Sequence, residues 1–569
     1  MKHTQKEQAI INLEQASFAY RRSLAPALKK ISFKARAGEV IGIMGPTGAG
    51  KSTLGLLLNG IIPHFVPGIL SGRALIDGQD TAKLEPRDLA ATVGVVFQDF
   101  ETQLFTTSVE LEVAFGPENL CLPVDIIKKR VHDYLNLVGL SGQEKKEPAN
   151  LSGGEKQRLA IAAILALEPA VLYLDEPTTD LDPAGKKEIL SLIRILQQKR
   201  NMTLLLVEHE TEQILACDRV IILKGGEVIT SGPAREVLCQ NQAVEQLGIK
   251  PLQVSEVFAD VPERERPLTL AEGLGYLKQQ KYNCAEDRYK SFVQHDQREY
   301  GPVVVELEKV SYSYGGIPAL SGINLSVKKG EFVAILGQNG SGKTTLLKQL
   351  NGLLLPGQGI VRINGRDTKE DHPATFSAEV GYVFQNPDHQ IIMETVYDDV
   401  AFGLRFNKVP ETEVQQRVQE TLAVVGLTGL EKQDPFTLTK GQRQQVAVAA
   451  VLANRPDILV FDEPTTGLDY QELRRLMELV NKLNQAGHTI IMVTHCMWIA
   501  AEYARRVVIM DKGQIVLDGP TREIFTQADK LQACQLALPP VTLLAQQLGK
   551  TVLSVAEFRE CFMKTNSKY

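Results

Sequence analysis

The stretch that most limits what this chain can fold into is Gly45-Pro46-Thr47-Gly48-Ala49-Gly50-Lys51-Ser52-Thr53. It fits the pattern G-x-x-x-x-G-K-[ST] and follows the apolar run 40–44, so strand, loop and helix signals stand in the expected order. The glycines permit positive φ, which lets successive backbone N–H groups turn inward around a polyphosphate. In such a loop Lys51 reaches the β- and γ-phosphates and Ser52 offers its hydroxyl to Mg²⁺. The apolar segment from Leu54 opens a helix whose N-terminus adds positive partial charge. The same arrangement returns as Gly337-Gln338-Asn339-Gly340-Ser341-Gly342-Lys343-Thr344-Thr345. A chance double match is not credible.

The rest of the chain repeats with it. Residues 10–20 parallel 304–314, both alternating like half-buried strands. Lys51 and Lys343 stand 292 positions apart, Glu176 and Glu463 287, His209 and His495 286. Two copies of one domain therefore lie in tandem, and the small drift comes from a longer surface loop at 59–68 than at 351–357. Pro251-Leu252-Gln253 and 268–272 resemble Pro540-Val541-Thr542 and 553–557, so each copy is expected to end in a small helical appendix. The expected layout is a first domain at 1–240, its appendix at 241–277, a polar, mobile linker at 278–302, a second domain at 303–526 and its appendix at 527–569.

Composition excludes several classes. The formal net charge of -6 argues against a nucleic-acid binder, and residues 250–300 hold eight Lys/Arg against nine Asp/Glu, so they form no basic arm. There is no run of about 18 apolar residues to span a bilayer, and the first residues lead into no apolar core of a secretory signal. Seven scattered cysteines without a C-x-x-C pair read as reduced thiols of a cytosolic protein.

The remaining motifs carry chemistry. Apolar strands end in glutamine at Gln98 and Gln385, with a second glutamine five residues on, at Gln103 and Gln390. Leu151-Ser152-Gly153-Gly154-Glu155 and Leu438-Thr439-Lys440-Gly441-Gln442 each open an Ala-rich helix. Continuous apolar runs, suited to a buried parallel sheet, end in the acid pairs Asp175-Glu176 and Asp462-Glu463, and two more end at His209 and His495. Strand and helix alternate, which is the α/β pattern. At the C-terminal ends of such strands Asp175 and Asp462 are placed to hold Mg²⁺, Glu176 and Glu463 to orient the attacking water, the histidines to contact the γ-phosphate, and Gln98 and Gln385 to sense metal and water.

This ordered set, present twice over nearly the whole chain, resembles the nucleotide-binding domain of ATP-binding-cassette proteins. The resemblance implies two tandem P-loop NTPase domains, each with a RecA-like core, a helical subdomain and an antiparallel β subdomain. It implies that Ser152, Gly153 and Gly154, and Thr439 and Gly441, are signature residues binding the γ-phosphate of ATP held by the opposite copy. Two ATP would be sandwiched head to tail, with Tyr20 and Tyr314 stacking on adenine and Asp182 and Asp469 in the loop after each acid pair. The segments 98–119 and 385–403 are similar to the cobalt and vitamin uptake ATPases of energy-coupling-factor transporters, in which a short extra helix lines the groove for the membrane partner. That likeness implies a peripheral ATPase on the cytoplasmic membrane face, bound to a transmembrane coupling subunit and a substrate-capturing membrane subunit. A soluble two-cassette ribosome-associated ATPase would share the nucleotide motifs but should carry a long basic helical linker. The fused ATPase of a sugar-type importer would lack the Gln-x-x-x-x-Gln groove helix. One departure stands out: Lys440 adds bulk where a glycine should approach phosphate, so the site completed by this signature is expected to be slower.

Overall fold

The computed structural model describes residues 9–21, 23, 25–178, 181, 183–200, 202–296, 298–370 and 373–564. Two compact units emerge, Met1–Leu252 with Ala259–Arg266, and Gln253–Phe258 with Pro267–Tyr569.

In the first unit a six-stranded sheet runs Glu227–Pro233, Arg219–Lys224, Val40–Met44, Thr203–Val207, Val171–Asp175, Val93–Val96. All neighbours pair parallel except the antiparallel edge strand Glu227–Pro233. A four-stranded antiparallel sheet, centred on Ala9–Tyr20, packs its apolar face on the same core. Between them lies the phosphate-loop helix Lys51–Leu58, burying Leu54, Leu57 and Leu58 completely. A fully buried side chain of this kind contributes about 1.5–3 kcal/mol.

The second unit repeats this plan: Val380–Val383, Ile458–Asp462, Thr489–Val493, Phe332–Gly337, Arg506–Asp511, Gln514–Pro520. Its strands show why unbroken apolar runs are needed. Val333, Ile335, Val460 and Ile491 face the core shared with the antiparallel sheet, whereas Ala334, Leu336, Leu459, Phe461 and Met492 face the helices. With period-2 side chains, both parities must then be apolar. Helices Val124–Leu137 and Glu411–Val425 precede the signature helices, which span Gly153–Leu165 and Lys440–Leu452.

The ends of the copies depart from expectation. Residues 278–302 are not a bare tether. Tyr282–Cys284 pairs antiparallel with Phe562–Lys564, and Glu286–Asp296 is a helix. The buried Arg522 binds Asp296 at 2.7 Å as well as Glu557 at 2.9 Å, and Lys550 meets Glu286 at 3.0 Å. These elements are held by long-range pairing, which leaves no local periodicity to read. The helices Gln253–Val257 and Leu270–Gln279, expected to close the first copy, group with the second unit, where Val254, Phe258 and Leu544 surround Gly273. Their internal repeat is real: Thr269 caps with Glu272 as Ser554 caps with Glu557. Four of the seven cysteines, Cys217, Cys239, Cys534 and Cys561, are buried. Among the described residues no helix is long and apolar enough to cross a membrane.

Candidate functional site

Each phosphate loop sits between a parallel strand and the helix it starts. Gly45 and Gly337 have φ of 150° and 155°, and a Cβ there would come within 2.1 Å of the Leu223 carbonyl and 2.3 Å of that of Met510. Only glycine fits where two backbones approach this closely. Lys51 donates to the Gly45 and Pro46 carbonyls at 2.9 and 3.1 Å, and Lys343 to those of Gly337 and Gln338 at 2.9 and 2.8 Å. Both ammonium groups are thus folded over their own loops, at the centre of the nest formed by residues 45–50 and 337–342.

The acid pairs come to the same place, since the strands Val171–Asp175 and Ile458–Asp462 end on the same side of the sheet with a single strand between them and the loop strand. Ser52 hydrogen-bonds Asp175, and Thr344 donates to Asp462 at 3.1 Å. Burial pushes the Asp175 carboxyl up to about 6, against the pull of Ser52 and Lys51. Asp175 Oδ1 is buried with no partner among the described residues. A buried carboxylate with an orphan oxygen beside a hydroxyl is a donor set suited to a hard cation that keeps further oxygen ligands from elsewhere. Burial likewise raises Asp462, opposed by hydrogen bonds from Tyr382 at 2.8 Å and Thr344.

The adjacent glutamates are each held between a glutamine and a histidine. Glu176 accepts from Gln98 at 2.8 Å and pairs with His209 Nε2 at 2.7 Å. Glu463 is 3.4 Å from Gln385 and 3.3 Å from His495. Burial works to raise Glu463, but the His495 hydrogen bond and charge, with Lys343, bring it below the usual carboxylate range. Both glutamates have positive φ, 50° and 47°, a left-handed backbone that costs non-glycine residues and recurs at functional sites. The residues predicted from spacing alone are therefore assembled in each unit: lysine, hydroxyl, aspartate, glutamate, histidine and glutamine around one loop.

Other predicted residues fall as follows. Tyr20 reaches the phosphate-loop helix, its hydroxyl 2.9 Å from Thr53 Oγ1. Tyr314 is half exposed with its ring edge-on to Tyr312. Ser152 and Thr439 both cap their signature helices in capping boxes, with Glu155 and Gln442. Asp469 caps Tyr470–Gln485, again in a capping box. Asp182 lies outside the described residues.

Two features escaped sequence reading. The second glutamine of each Gln-x-x-x-x-Gln is an internal clasp: Gln103 binds Phe97 N and Val95 O, and Gln390 binds Phe384 N and Ala447 O. It folds the loop back on the strand that ends at the site. Tyrosines also support the loops. Tyr173 donates to the Lys51 carbonyl at 2.5 Å in the first unit, whereas Tyr382, on a different strand, donates to Asp462 in the second. A tyrosine inside an otherwise aliphatic strand was the available signal.

Each unit exposes apolar side chains on the segment that follows its Gln-x-x-x-x-Gln. The helices Val109–Asn119 and Val396–Phe406 follow loops pinned by buried carboxylates: Glu112 accepts from Phe105 N and Thr106 N, and Asp399 from Ile392 N and Met393 N. The loops and helices leave Phe105, Leu111 and Phe115 exposed in one unit, and Ile392, Phe402 and Phe406 in the other. In the second unit a groove of about 530 Å³ runs between Ile392, Phe402, Arg405 and Phe406.

The ABC transporter family model matches residues 28–179 and 320–466. A relative from Caldanaerobacter subterraneus subsp. tengcongensis, named provisionally as an ABC transporter ATP-binding protein, is 47% identical over 542 residues, covering 94% of this chain and 95% of the relative. One from Methanosarcina acetivorans, named likewise, is 40% identical over 560 residues, covering 96% and 91%. A solved structure described as cbiO1 from Clostridium perfringens, part of the ABC transporter complex cbiONQ, is 35% identical, covering 43% of this chain and 99% of that one with a TM-score of 0.39. The chain belongs to the ABC transporter family, and what it carries is that family's ATP-hydrolysing domain twice over.

Proposed function

We propose that this ATPase is the energy-coupling subunit of an importer of the energy-coupling-factor type, for a vitamin, a vitamin precursor or a cobalt or nickel ion. It would act on the cytoplasmic membrane face through a separate transmembrane coupling subunit joined to a substrate-capturing subunit. The observation that carries this reading is the set of apolar side chains left exposed on the helices Val109–Asn119 and Val396–Phe406 and the loops before them, with a groove between them in the second unit. Phe105 and Phe115 of the first unit stand exposed at the places of Ile392 and Phe402 in the second, with Leu111 and Phe406 exposed beside them in their own units, and exposed apolar patches rimmed by charge mark docking surfaces. The rim here is Glu394, Asp398 and Arg405.

At the nucleotide sites the polyphosphate is cradled by the loop N–H groups and met by Lys51 or Lys343, displacing these ammonium groups from the loop carbonyls. Tyr20 and Tyr314 stack on the base. Ser52 with Asp175, and Thr344 with Asp462, would hold Mg²⁺, which would supply positive charge to neutralise the phosphates, with Gln98 and Gln385 sensing metal and water. Glu176 and Glu463 accept a hydrogen bond from the attacking water and orient it in line, while His209 and His495 fix the glutamate from the other side. The signature residues Ser152, Gly153 and Gly154 complete the site of Lys343, and Thr439 and Gly441 complete that of Lys51, with Asp182 and Asp469 in the loops beside them. Closing the two copies on two ATP and reopening them after hydrolysis is the rigid-body work stroke.

Affinity purification of the full chain from its native membranes tests the partner. A hydrophobic membrane subunit should co-purify, and Phe402→Asp with Phe115→Asp should abolish this while leaving ATP binding intact. Recovery of ribosomes instead, or of the membrane subunit undiminished with both variants, refutes the reading.

A further inference from the structure

The second signature is tied to the loop after its own acid pair by contacts that the first sequence cannot make. Thr439 Oγ1 donates to Glu472 Oε1 at 3.1 Å. Glu472 stands on the helix Tyr470–Gln485, and its carboxyl lies so close over Gly441 that a Cβ there would come within 2.4 Å of it. In the first copy the position of Glu472 is Gly185, which has no side chain to offer. There a Cβ on Gly153 would meet no described atom within 4 Å, and one on Gly154 only Leu181, at 3.6 Å. Ser152 donates instead to Glu155, inside its own helix.

Lys440 adds a second tie. Its Nζ rests on Gly467, where a Cβ would come within 2.3 Å. This accounts for a pair of differences between the copies: Gly153 with Asp180 in one, Lys440 with Gly467 in the other. A bulky residue at one position goes with glycine at its neighbour.

The start of a 13-residue helix attracts an anion. In the second unit a carboxylate of the same unit already lies there. We propose that Glu472 is a positioning residue that latches the second signature, so that the ATP engaging Thr439 and Gly441 must first displace its carboxylate. This rests on the reading that each signature completes the site of the opposite copy. Phosphate and carboxylate compete for one hydroxyl and repel each other, so the site of Lys51 and Glu176 fills only at higher ATP than the site of Lys343 and Glu463. One charge-assisted hydrogen bond corresponds to on the order of tenfold in affinity.

Glu472→Gln tests this without disturbing the fold, because glutamine keeps the capping box with Asp469. The half-saturating ATP concentration for hydrolysis, and that of a fluorescent ATP analogue for binding, are measured in the full chain in two backgrounds. With Glu463→Gln, which leaves only the Glu176 site competent, Glu472→Gln should lower both by about tenfold with little change in kcat. With Glu176→Gln, which stops hydrolysis at the Lys51 site but not binding there, the hydrolysis value should not change while the binding value still falls. A fall in the hydrolysis value confined to the Glu176→Gln background keeps the latch and overturns the head-to-tail pairing. No change in either background, with each glutamate variant still slowing hydrolysis, overturns the latch.

Discussion

In the first unit a Cβ on the signature glycines would meet at most Leu181, at 3.6 Å, and among the described residues the serine beside them bonds within its own helix. In the second, the matching hydroxyl, glycine and lysine are stitched to Glu472 and Gly467. The lysine, aspartate, glutamate, histidine and glutamine around the phosphate loop recur in both units; the contacts of the signature helix N-terminus differ. Duplication preserved the chemistry and left the mechanics free to diverge. Two ATP sites with equal reactive groups need not then turn over equally.

The largest expected effect breaks or sharpens that comparison directly. Turnover should run mainly at the site built from Lys343, Glu463 and Ser152. In the assembled transporter Glu463→Gln should cut steady-state ATPase by about a hundredfold, the scale of losing a positioned base, whereas Glu176→Gln should cost less than about twofold. Equal losses, or a larger loss for Glu176→Gln, would show that the altered signature does not matter to rate.

Much of this was legible before any coordinates, and the reason is physical. Phosphate loops, acid pairs and buried parallel strands are local: Gly45 needs its conformation, Asp175 must follow four apolar residues, and the spacing records both. The duplicated constellation was therefore readable residue by residue. Residues 278–302 were not, because Tyr282–Cys284 acquires its structure from a strand 280 positions on, Phe562–Lys564, and Glu286–Asp296 from Arg522 and Lys550. The grouping of Gln253–Val257 and Leu270–Gln279 with the second unit was hidden for the same reason. Glu472 was unreadable as a signature partner, since a glutamate at the third position of a capped helix has a sufficient local explanation.

A second contrast lies behind the sheet. Glu208, 2% exposed, accepts from the Thr178 hydroxyl at 2.7 Å and amide at 3.2 Å, while the second unit has Thr494 at its place. Burial pushes the Glu208 carboxyl from 4.5 up to about 7; the Thr178 hydrogen bond and Lys186 draw it down, and Glu176 and Glu210 push it further up. The folded chain thus holds this proton more firmly than the unfolded chain, and folding takes up a proton between these two values. Stability should fall as pH rises through that window and be flat above it, by up to about 3 kcal/mol. Urea midpoints between about pH 5 and 8 should show this slope for the native chain and a flatter one for Glu208→Thr. An unchanged slope would mean that Glu208 is ionised in place throughout.

The smallest expected effect concerns packing under the two loops. Tyr173 in the first unit lies against Gly55, where a Cβ would come within 2.7 Å of its ring. The second unit has Leu347 and Val460 at these positions. Large with small has been exchanged for medium with medium, a volume-conserving repacking of one cavity wall. Gly55→Leu alone should overpack the first unit and cost about 1–3 kcal/mol. Tyr173→Val alone should cost a similar amount, through lost volume and the lost hydrogen bond to the Lys51 carbonyl. Made together they should recover about 1–2 kcal/mol relative to the sum, as contacting residues do. Additive losses would show that the units tolerate their own packing only through changes elsewhere, and that the likeness of the two loops does not extend to the wall beneath them.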